Sequence, residues 1–171
     1  MNYAEPFETE RLHLTPFAPE HMEPAYAFFL SERGRWHGAG PDEGPGRAWR
    51  ICATLMGHWQ IHGFGSYALV EKVTGACIGG IGIFYPAGHP EREIGWSMYA
   101  REGEGFAAEA GRAIVDRYLG HFGWDTLVSY IDPDNKRSAA LAERLGAVID
   151  SAAEKGHPDD LVYRHRMGGH A

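Results

Sequence analysis

One stretch of the chain decides how the rest is interpreted, the decapeptide REGEGFAAEA at residues 101–110. It lies between a predicted strand and a predicted helix. Gly103 and Gly105 let the backbone approach a ligand closely because they carry no Cβ. A helix that begins near Gly105 presents unpaired N–H groups, which together form a site for phosphate oxygens, and Ala107 and Ala108 keep that approach open. The stretch therefore predicts a nucleotide or coenzyme phosphate site, although a ligand-free tight turn would need the same glycines.

Two other phosphate-binding patterns can be compared with this stretch. The sequence contains no GxxxxGK[ST], which excludes a P-loop. Gly103, Gly105 and Ala108 do fit the looser GxGxxA dinucleotide fingerprint, and Asp132 ends the next strand. A dinucleotide-binding unit normally begins a domain of parallel strands, whereas antiparallel strands are predicted before this motif. We therefore disfavour the dinucleotide interpretation.

The flanking sequence predicts a mixture of strands and helices. Strand-like patterns occupy residues 11–17, 66–72, 76–85, 93–99, 126–131, 147–150 and 161–166. Helical spacing occupies residues 19–30, 48–61, 105–121 and 135–145. Short connections predict an antiparallel meander for the second, third and fourth strands, and the third helix crosses between two parallel strands. The class is α+β, in a single domain over residues 1–171.

Two local patterns complete this outline. The first strand, at residues 11–17, contains Pro16 and is predicted to be an edge strand. Residues 34–46 hold five glycines and two prolines, which predicts a mobile loop rather than a packed element. Trp36, His37 and Asp42 lie within that loop.

Composition narrows the function classes. The formal net charge is −7 and the pI about 5.8, which argues against a nucleic-acid-binding face and against an anionic membrane surface. Cys52 and Cys77 lack CxxC partners and are predicted to be reduced, buried thiols rather than a disulfide. The N-terminus carries no apolar signal segment and no stretch is long enough to span a membrane. A cytoplasmic protein is the prediction.

A second segment, DPDNKRSAALAERLGAV at residues 132–148, adds an independent motif. Asn135 follows a strand and precedes a helix, so it is expected to be an N-cap. Ser138 lies in the first turn of that helix and Gly146 ends it.

With both segments in view, the chain resembles the GNAT acetyltransferase superfamily, and within it the RimJ/RimL-like branch. Three stretches carry the resemblance: ETERLHLTPF, EIGWSMYAREGEGFAAEA and NKRSAALAERLGA. The resemblance implies a mixed central sheet, largely antiparallel, with a parallel pair splayed around the coenzyme site and helices on both faces. It also implies acetyl-CoA as the donor and direct transfer to an amine in a ternary complex.

The resemblance assigns a role to each matching position. The loop backbone, at Gly103, Glu104, Gly105, Phe106, Ala107 and Ala108, would hold the coenzyme pyrophosphate. The strand residues Trp96, Ser97 and Met98 would pair with the pantetheine arm, and an N–H near Ser97 or Met98 would polarise the thioester carbonyl. Asn135 would hydrogen-bond the arm. Arg101, Lys136 and Arg137 would supply positive charge, unless they are ordinary solvated side chains.

The predicted catalytic groups are Glu93 and Ser138. Glu93 matches the family's glutamate before Ile-Gly and would act as a base through water, unless it is a structural carboxylate. Ser138 could donate a hydrogen bond to the sulfur, although capping is an alternative. The family's tyrosine acid is missing, since Ala142 stands there.

Other departures and alternatives remain. Glu102 places a carboxylate where the family usually has Gln or Arg, and Ala147 replaces a common Phe. A metal site at His58 and His62 is disfavoured because no third ligand is near in the sequence. Residues 151–160 are predicted to form a loop beside the acceptor pocket. The acceptor is a small-molecule amine or a protein N-terminus, and the chain a monomer or homodimer. The alternative function is a non-catalytic domain that binds acyl-CoA or another ligand.

Overall fold

A computed structural model describes residues 4–167. Its strands are β1 (Phe7–Glu8), β2 (Leu12–Pro16), β3 (Ser66–Glu71), β4 (Cys77–Phe84), β5 (Glu93–Met98), β6 (Leu127–Ile131), β7 (Val148–Ile149) and β8 (Leu161–His165). Its α-helices are α1 (Met22–Leu30), α2 (Gly44–His62), α3 (Phe106–Val115) and α4 (Lys136–Arg144). Short 3-10 turns span Pro19–His21, Glu32–His37 and Pro41–Glu43, and a π-helical turn, Asp116–His121, follows α3.

The strands form one eight-stranded sheet in the order β1-β2-β3-β4-β5-β6-β8-β7. Every neighbouring pair is antiparallel except β5 and β6, which are parallel. The predicted meander of β3, β4 and β5 is confirmed, as is the α+β class with its single parallel pair.

The parallel pair is short. Its register contains one Cα pair, Glu93 with Val128, after which β5 and β6 diverge. The antiparallel register of β5 with β4 continues from Glu93 to Met98. The C-terminal half of β5 therefore has a strand neighbour on one side only among the described residues.

Helices cover both faces of the sheet, as predicted. On one face, Ala110 and Ile114 of α3 pack with Ile81 and Ile94 of the strands. On the other face, the buried side chains come from α1, α2 and β3, and include Phe28, Phe29, Ala48, Cys52 and Ala68. Burial of these two apolar layers stabilises the sheet between them.

Two predictions are wrong. The strand at residues 11–17 is not an edge, because Phe7–Glu8 pairs with it outside; a two-residue strand is too short to give a periodic pattern. Residues 34–46 do not form a mobile loop but fold into 3-10 turns and the start of α2, and Ala39 is buried. Gly34 explains the packing, since a Cβ there would lie 2.5 Å from the Phe29 carbonyl oxygen. The glycine serves close packing rather than mobility.

Two smaller differences concern helix and thiol positions. The α2 helix begins at Gly44 rather than residue 48, since Pro45 suits its first turn. Both cysteines are free, but Cys77 is only partly buried.

No helix within residues 4–167 is long and apolar enough to cross a membrane.

Candidate active site

The decapeptide forms one wall of a groove of about 370 Å³, called here the loop groove. The opposite wall comes from α4, and the floor from the C-terminal half of β5. The backbone of the loop is shaped by three positive φ angles, 59° at Arg101, 83° at Gly103 and 85° at Gly105. Gly105 precedes α3 without a side-chain cap, so the first N–H groups of that helix are free to bind an anion.

The loop is braced from behind by Glu109 and Arg11. Glu109 accepts hydrogen bonds from the Thr9 hydroxyl at 2.5 Å, the Arg11 N–H at 2.8 Å and the Arg11 Nε at 2.6 Å. Arg11 also donates to the Glu104 carbonyl oxygen and lies 4.0 Å from the centre of the Phe106 ring. Burial raises the pKa of Glu109, but these hydrogen bonds outweigh it and hold the pKa below its usual value. The brace fixes the loop before any ligand binds.

The charge of the loop groove is positive despite the acidic chain. Among the described residues, four arginines line it, Arg33, Arg101, Arg137 and Arg144, and one carboxylate, that of Glu102. Glu102 forms an ion pair with Arg33, and its other oxygen lies 3.1 Å from Arg137 Nη1. The carboxylate is therefore partnered by two guanidiniums rather than left facing a bound anion alone.

The structure brings most of the predicted coenzyme residues together. Those that line the loop groove are Trp96, Ser97, Met98, Arg101, Gly103, Gly105, Phe106, Ala107, Ala108, Asn135, Arg137 and Ser138. Two do not line it. The Glu104 side chain pairs with Arg101 at 2.8 Å, and Lys136 Nζ donates to the Pro133 carbonyl oxygen at 2.5 Å.

The free side of β5 exposes alternate peptide groups. The Tyr99 N–H donates to Ile78 on the β4 side, whereas the Ile94 carbonyl oxygen accepts from Ser129 of β6. Peptide groups alternate in direction along a strand, so those of Trp96 and Met98 face the gap beside β6. The Met98 carbonyl oxygen accepts from Arg33 there. Of the two N–H groups considered for the thioester, that of Met98 points into the gap and that of Ser97 points toward β4.

Asn135 and Ser138 lie at the end of this gap. The Ser138 N–H donates to Asn135 Oδ1 at 3.2 Å, so Asn135 caps α4 as expected. Trp96 Nε1 donates to Ser138 Oγ at 3.3 Å, which leaves the hydroxyl proton of Ser138 available to another acceptor.

A second space, called here the aromatic cavity, has a volume of about 380 Å³. One wall is a face of α2, formed by Arg47, Ile51, Thr54 and Leu55. The other walls come from β4, β5 and β6, and from the segment before α2. Its aromatic lining residues are Phe17, Phe29, Trp36, Phe84, Trp96, Tyr99 and Tyr130. An apolar cleft with a few polar groups is typical of a small-molecule site.

The loop groove and the aromatic cavity meet at a junction. The residues that line both are Trp36, His37, Trp96, Ser97, Asn135 and Ser138. A ligand in the groove and a second ligand in the cavity can therefore touch at β5.

His37 occupies the junction, although the sequence predicts it in a mobile loop. Its Nε2 lies 3.1 Å from Ser97 Oγ, and its ring packs against Phe28 and Phe29. Burial, with the nearby charge of Arg33, lowers the pKa of His37 to about 4. The imidazole is therefore neutral at physiological pH. The sequence offered no signal for this contact, because sixty residues separate His37 from Ser97.

Glu93 lines the far end of the aromatic cavity. Its Oε2 lies 2.9 Å from His89 Nε2, a contact between the start of β5 and the middle of the β4–β5 connection. Burial raises the pKa of Glu93 above its usual value, although His89 opposes the shift. Glu93 precedes Ser97 by four residues, about 13 Å along an extended strand.

Trp36 also reaches the cavity, whereas Asp42 pairs with Arg35 outside it.

The two histidines of α2 have structural contacts. His58 Nδ1 lies 2.7 Å from the Phe64 carbonyl oxygen, and its Nε2 accepts from the Tyr85 N–H at 2.8 Å. The ring of His62 packs against that of His58. Within the described chain, no three His, Cys, Asp or Glu residues are grouped to hold a metal ion.

Comparisons with known proteins agree with this geometry. Residues 11–148 match the family described as an acetyltransferase (GNAT) domain. The chain is 37% identical to the acetyltransferase from Agrobacterium tumefaciens str. C58, over 95% of this chain and 94% of that one, with a TM-score of 0.86. It is 30% identical to the uncharacterized protein YkkB of Bacillus subtilis (strain 168), over 61% of this chain and 63% of that protein.

A more distant structure shares the fold. The microcin C7 self-immunity acetyltransferase MccE, solved with acetyl-CoA and AMP, is 18% identical over 92% of this chain and 93% of that one, with a TM-score of 0.69. The family match begins just before β2, includes the loop groove and α4, and ends at the first residue of β7. The chain belongs to the GNAT acetyltransferase family.

Proposed function

We propose that this chain transfers the acetyl group of acetyl-CoA directly to an amine in a ternary complex. The observation that supports this most is the junction at β5, where the loop groove meets the aromatic cavity. The groove has the positive charge and free helix N–H groups that a coenzyme pyrophosphate needs. The cavity offers a separate, largely apolar space for an acceptor. A ternary complex requires two such spaces that open onto one reaction centre.

The residues present fit acetyl-CoA. The first N–H groups of α3 would hold the pyrophosphate, together with Arg101 and Arg137. The outward peptide groups of Trp96 and Met98 would pair with the pantetheine arm in the gap beside β6, and Asn135 has an amide group free of its capping contact. The same fold binds acetyl-CoA in MccE. Glu102 is paired with Arg33 and Arg137, so its carboxylate weakens coenzyme binding without preventing it. We favour catalysis over the non-catalytic alternative because the aromatic cavity gives an acceptor a space of its own beside the groove.

The chemistry needs a neutral amine and a polarised carbonyl. The Met98 N–H would stabilise the negative charge that develops on the thioester oxygen. Glu93 would accept the amine proton through bridging water, and burial favours that role because it raises the pKa of the carboxyl. The new bond joins the amine nitrogen to the acyl carbon, and the carbon–sulfur bond breaks. The coenzyme thiolate leaves, and the Ser138 hydroxyl would donate a hydrogen bond to it.

The proposal extends to the branch of the family, the cellular compartment, the acceptor and the oligomeric state. The motifs at residues 8–17, 93–110 and 135–147 favour the RimJ/RimL-like branch. The two free thiols fit a reducing compartment, for which we propose the cytoplasm. The acceptor is a small-molecule amine or a protein N-terminus, and the protein acts as a monomer or homodimer.

Replacing Glu93 by Gln tests the proposed base. Turnover should fall by about 10²–10⁴-fold, the range for loss of a general base, while acetyl-CoA affinity stays unchanged. Release of coenzyme A thiol with an amine panel measures turnover, and Glu23→Gln, at an exposed position of α1, serves as the control. Unchanged turnover across pH would remove Glu93 as the base. Thermal stabilisation by NAD(P) rather than acetyl-CoA would refute the coenzyme assignment itself.

A further inference from the structure

One guanidinium in the aromatic cavity has no described carboxylate partner. Arg47 projects from α2 on the same face as Ile51 and Leu55, and it is the one Lys or Arg among the described residues that line the cavity. Within residues 4–167, no carboxylate lies within ion-pair distance of it. The arginines with such partners are Arg11, Arg33, Arg35, Arg101, Arg137 and Arg164.

Arg47 is held in place at the edge of the junction. Its Nε donates to the Gly38 carbonyl oxygen at 2.8 Å, and Gly38 directly follows His37. Gly38 has a φ of 62°, which ends the 3-10 turn of residues 32–37 and directs the carbonyl. Since Nε is occupied, the two terminal nitrogens remain, and they can bind a carboxylate end-on with two parallel hydrogen bonds. A guanidinium positioned in this way is ready to bind an anion.

The opposite side of the aromatic cavity carries negative charge. Glu93 lies on β5, and Asp132 directly follows β6; both line the cavity. The cavity is therefore positive toward α2 and negative toward the sheet, with aromatic rings between. A zwitterion that carries a carboxylate and an ammonium group matches this arrangement, whereas a polyamine would bring a second cation toward Arg47.

We propose that the acceptor is a free amino acid, with its carboxylate on Arg47 and its amine toward the junction. This rests on the proposed acetyl transfer and names its substrate class. The amine enters as ammonium, loses its proton through bridging water to Glu93, and forms the bond to the acyl carbon as the coenzyme thiolate leaves. Phe84, Tyr99 and Tyr130 offer ring faces and edges to an apolar or aromatic side chain.

The geometry disfavours a protein N-terminus as the preferred acceptor. In a protein the carboxyl group of the first residue is a peptide carbonyl, which carries no charge and continues into a chain. Arg47 would then lose its water on binding without gaining a charged partner. The same argument predicts that an amino acid amide is a poorer acceptor than the free acid.

The experiment compares matched acceptor pairs, phenylalanine with phenylalaninamide and leucine with leucinamide, by coenzyme A release. The full-length protein should prefer the acid by about tenfold to a hundredfold in kcat/KM, the range for a hydrogen bond between charged groups. Arg47→Gln should bring that ratio close to one. Arg50→Gln, one turn along α2 and exposed outside the cavity, should leave it unchanged.

Binding supplies a second readout that does not depend on transfer. Calorimetric titration of the same four compounds into the acetyl-CoA-loaded protein should give the same acid preference, which Arg47→Gln removes. Equal use and binding of acid and amide, or a ratio that Arg47→Gln leaves unchanged, would overturn the inference. If the acids bind preferentially through Arg47 but no acetyl transfer occurs to any amine, the proposed function fails and the amino acid site stands. Equal melting temperatures of the two variants would show that both are folded.

Discussion

Replacing Glu102 by Gln should tighten acetyl-CoA binding. Glu102 is the one carboxylate among the described residues that line the loop groove, and it neutralises part of the charge of Arg33 and Arg137. Removing its charge raises the net charge of the groove by one unit and frees both guanidiniums. The coenzyme brings several negative phosphate charges, so the change favours the bound state.

The size of the effect follows from Coulomb's law. Glu102 adjoins Gly103, so its carboxylate would lie about 7 Å from a phosphate on the loop backbone. At that distance one pair of unit charges repels by about 0.6 kcal/mol in water and about 2.4 kcal/mol at an effective dielectric constant of about 20. The Glu102 side chain is 35% exposed, which favours the lower part of this range. We expect acetyl-CoA to bind about threefold to tenfold more tightly.

Calorimetric titration at two ionic strengths measures this change. The gain should be larger at about 0.01 M than at about 0.1 M salt, where the Debye length is about 10 Å. Glu23→Gln makes the same change in net charge at an exposed position of α1 outside the groove and should have little effect. Stability should hardly change, because both ion pairs of Glu102 are solvent-accessible.

Weaker binding by Glu102→Gln would refute this reasoning. It would mean that the carboxylate orients Arg33 and Arg137 toward the coenzyme, and that their geometry matters more than the added charge. A gain that is independent of salt would also contradict a Coulombic cause.

Two further predictions concern stability. The pKa of His37 is about 4 in the folded chain and 6.5 ordinarily, so the folded protein favours the neutral imidazole. The resulting stabilisation is fully present above pH 6.5 and is lost as the pH falls toward 4. The free energy of unfolding should therefore be lower at pH 4.5 than at pH 7, and His37→Phe should reduce that difference by about 2–3 kcal/mol. Urea unfolding at the two pH values measures it, and an unchanged difference in His37→Phe would contradict the prediction. Gly82→Ala should lower the free energy of unfolding by about 1–3 kcal/mol, since its Cβ would lie 2.6 Å from Ser66 Cα and closer still to the Gly65 carbonyl oxygen. Gly95, the cross-strand partner of Gly82, provides the control, because a Cβ on Gly95 would have no atom nearer than 3.9 Å. Equal melting temperatures of Gly82→Ala and Gly95→Ala would contradict the prediction, since they would show that the backbone around Gly82 shifts to accept the methyl group.

Local features of this protein could be predicted from its sequence. Gly105 before α3 and Asn135 before α4 depend on the backbone conformation of a few adjacent residues, so residue type and spacing suffice. The order of the strands along the chain and the antiparallel meander depend on periodicity and on short connections, which are also local. These features located the loop groove correctly.

The sequence pattern gave a wrong prediction for residues 34–46, where tertiary packing determined the local structure. The glycines of residues 34–46 have the composition of a loop, yet Gly34 lets the backbone pack against Phe29. A glycine that permits close approach and a glycine that permits freedom look the same in sequence, and only the neighbouring element distinguishes them.

The chemical character of the site was decided by contacts between distant residues. Glu102 meets Arg33 across sixty-nine residues, and Ser97 meets His37 across sixty. The aromatic cavity joins a face of α2 to three strands, which places Arg47 and Glu93 on different walls. Propensity and spacing act over a few residues, whereas charge pairing and burial depend on which surfaces the folded chain brings together. The motifs therefore indicated where a coenzyme could bind, and the folded arrangement determined how the charge of the groove is balanced and which side chains line the cavity.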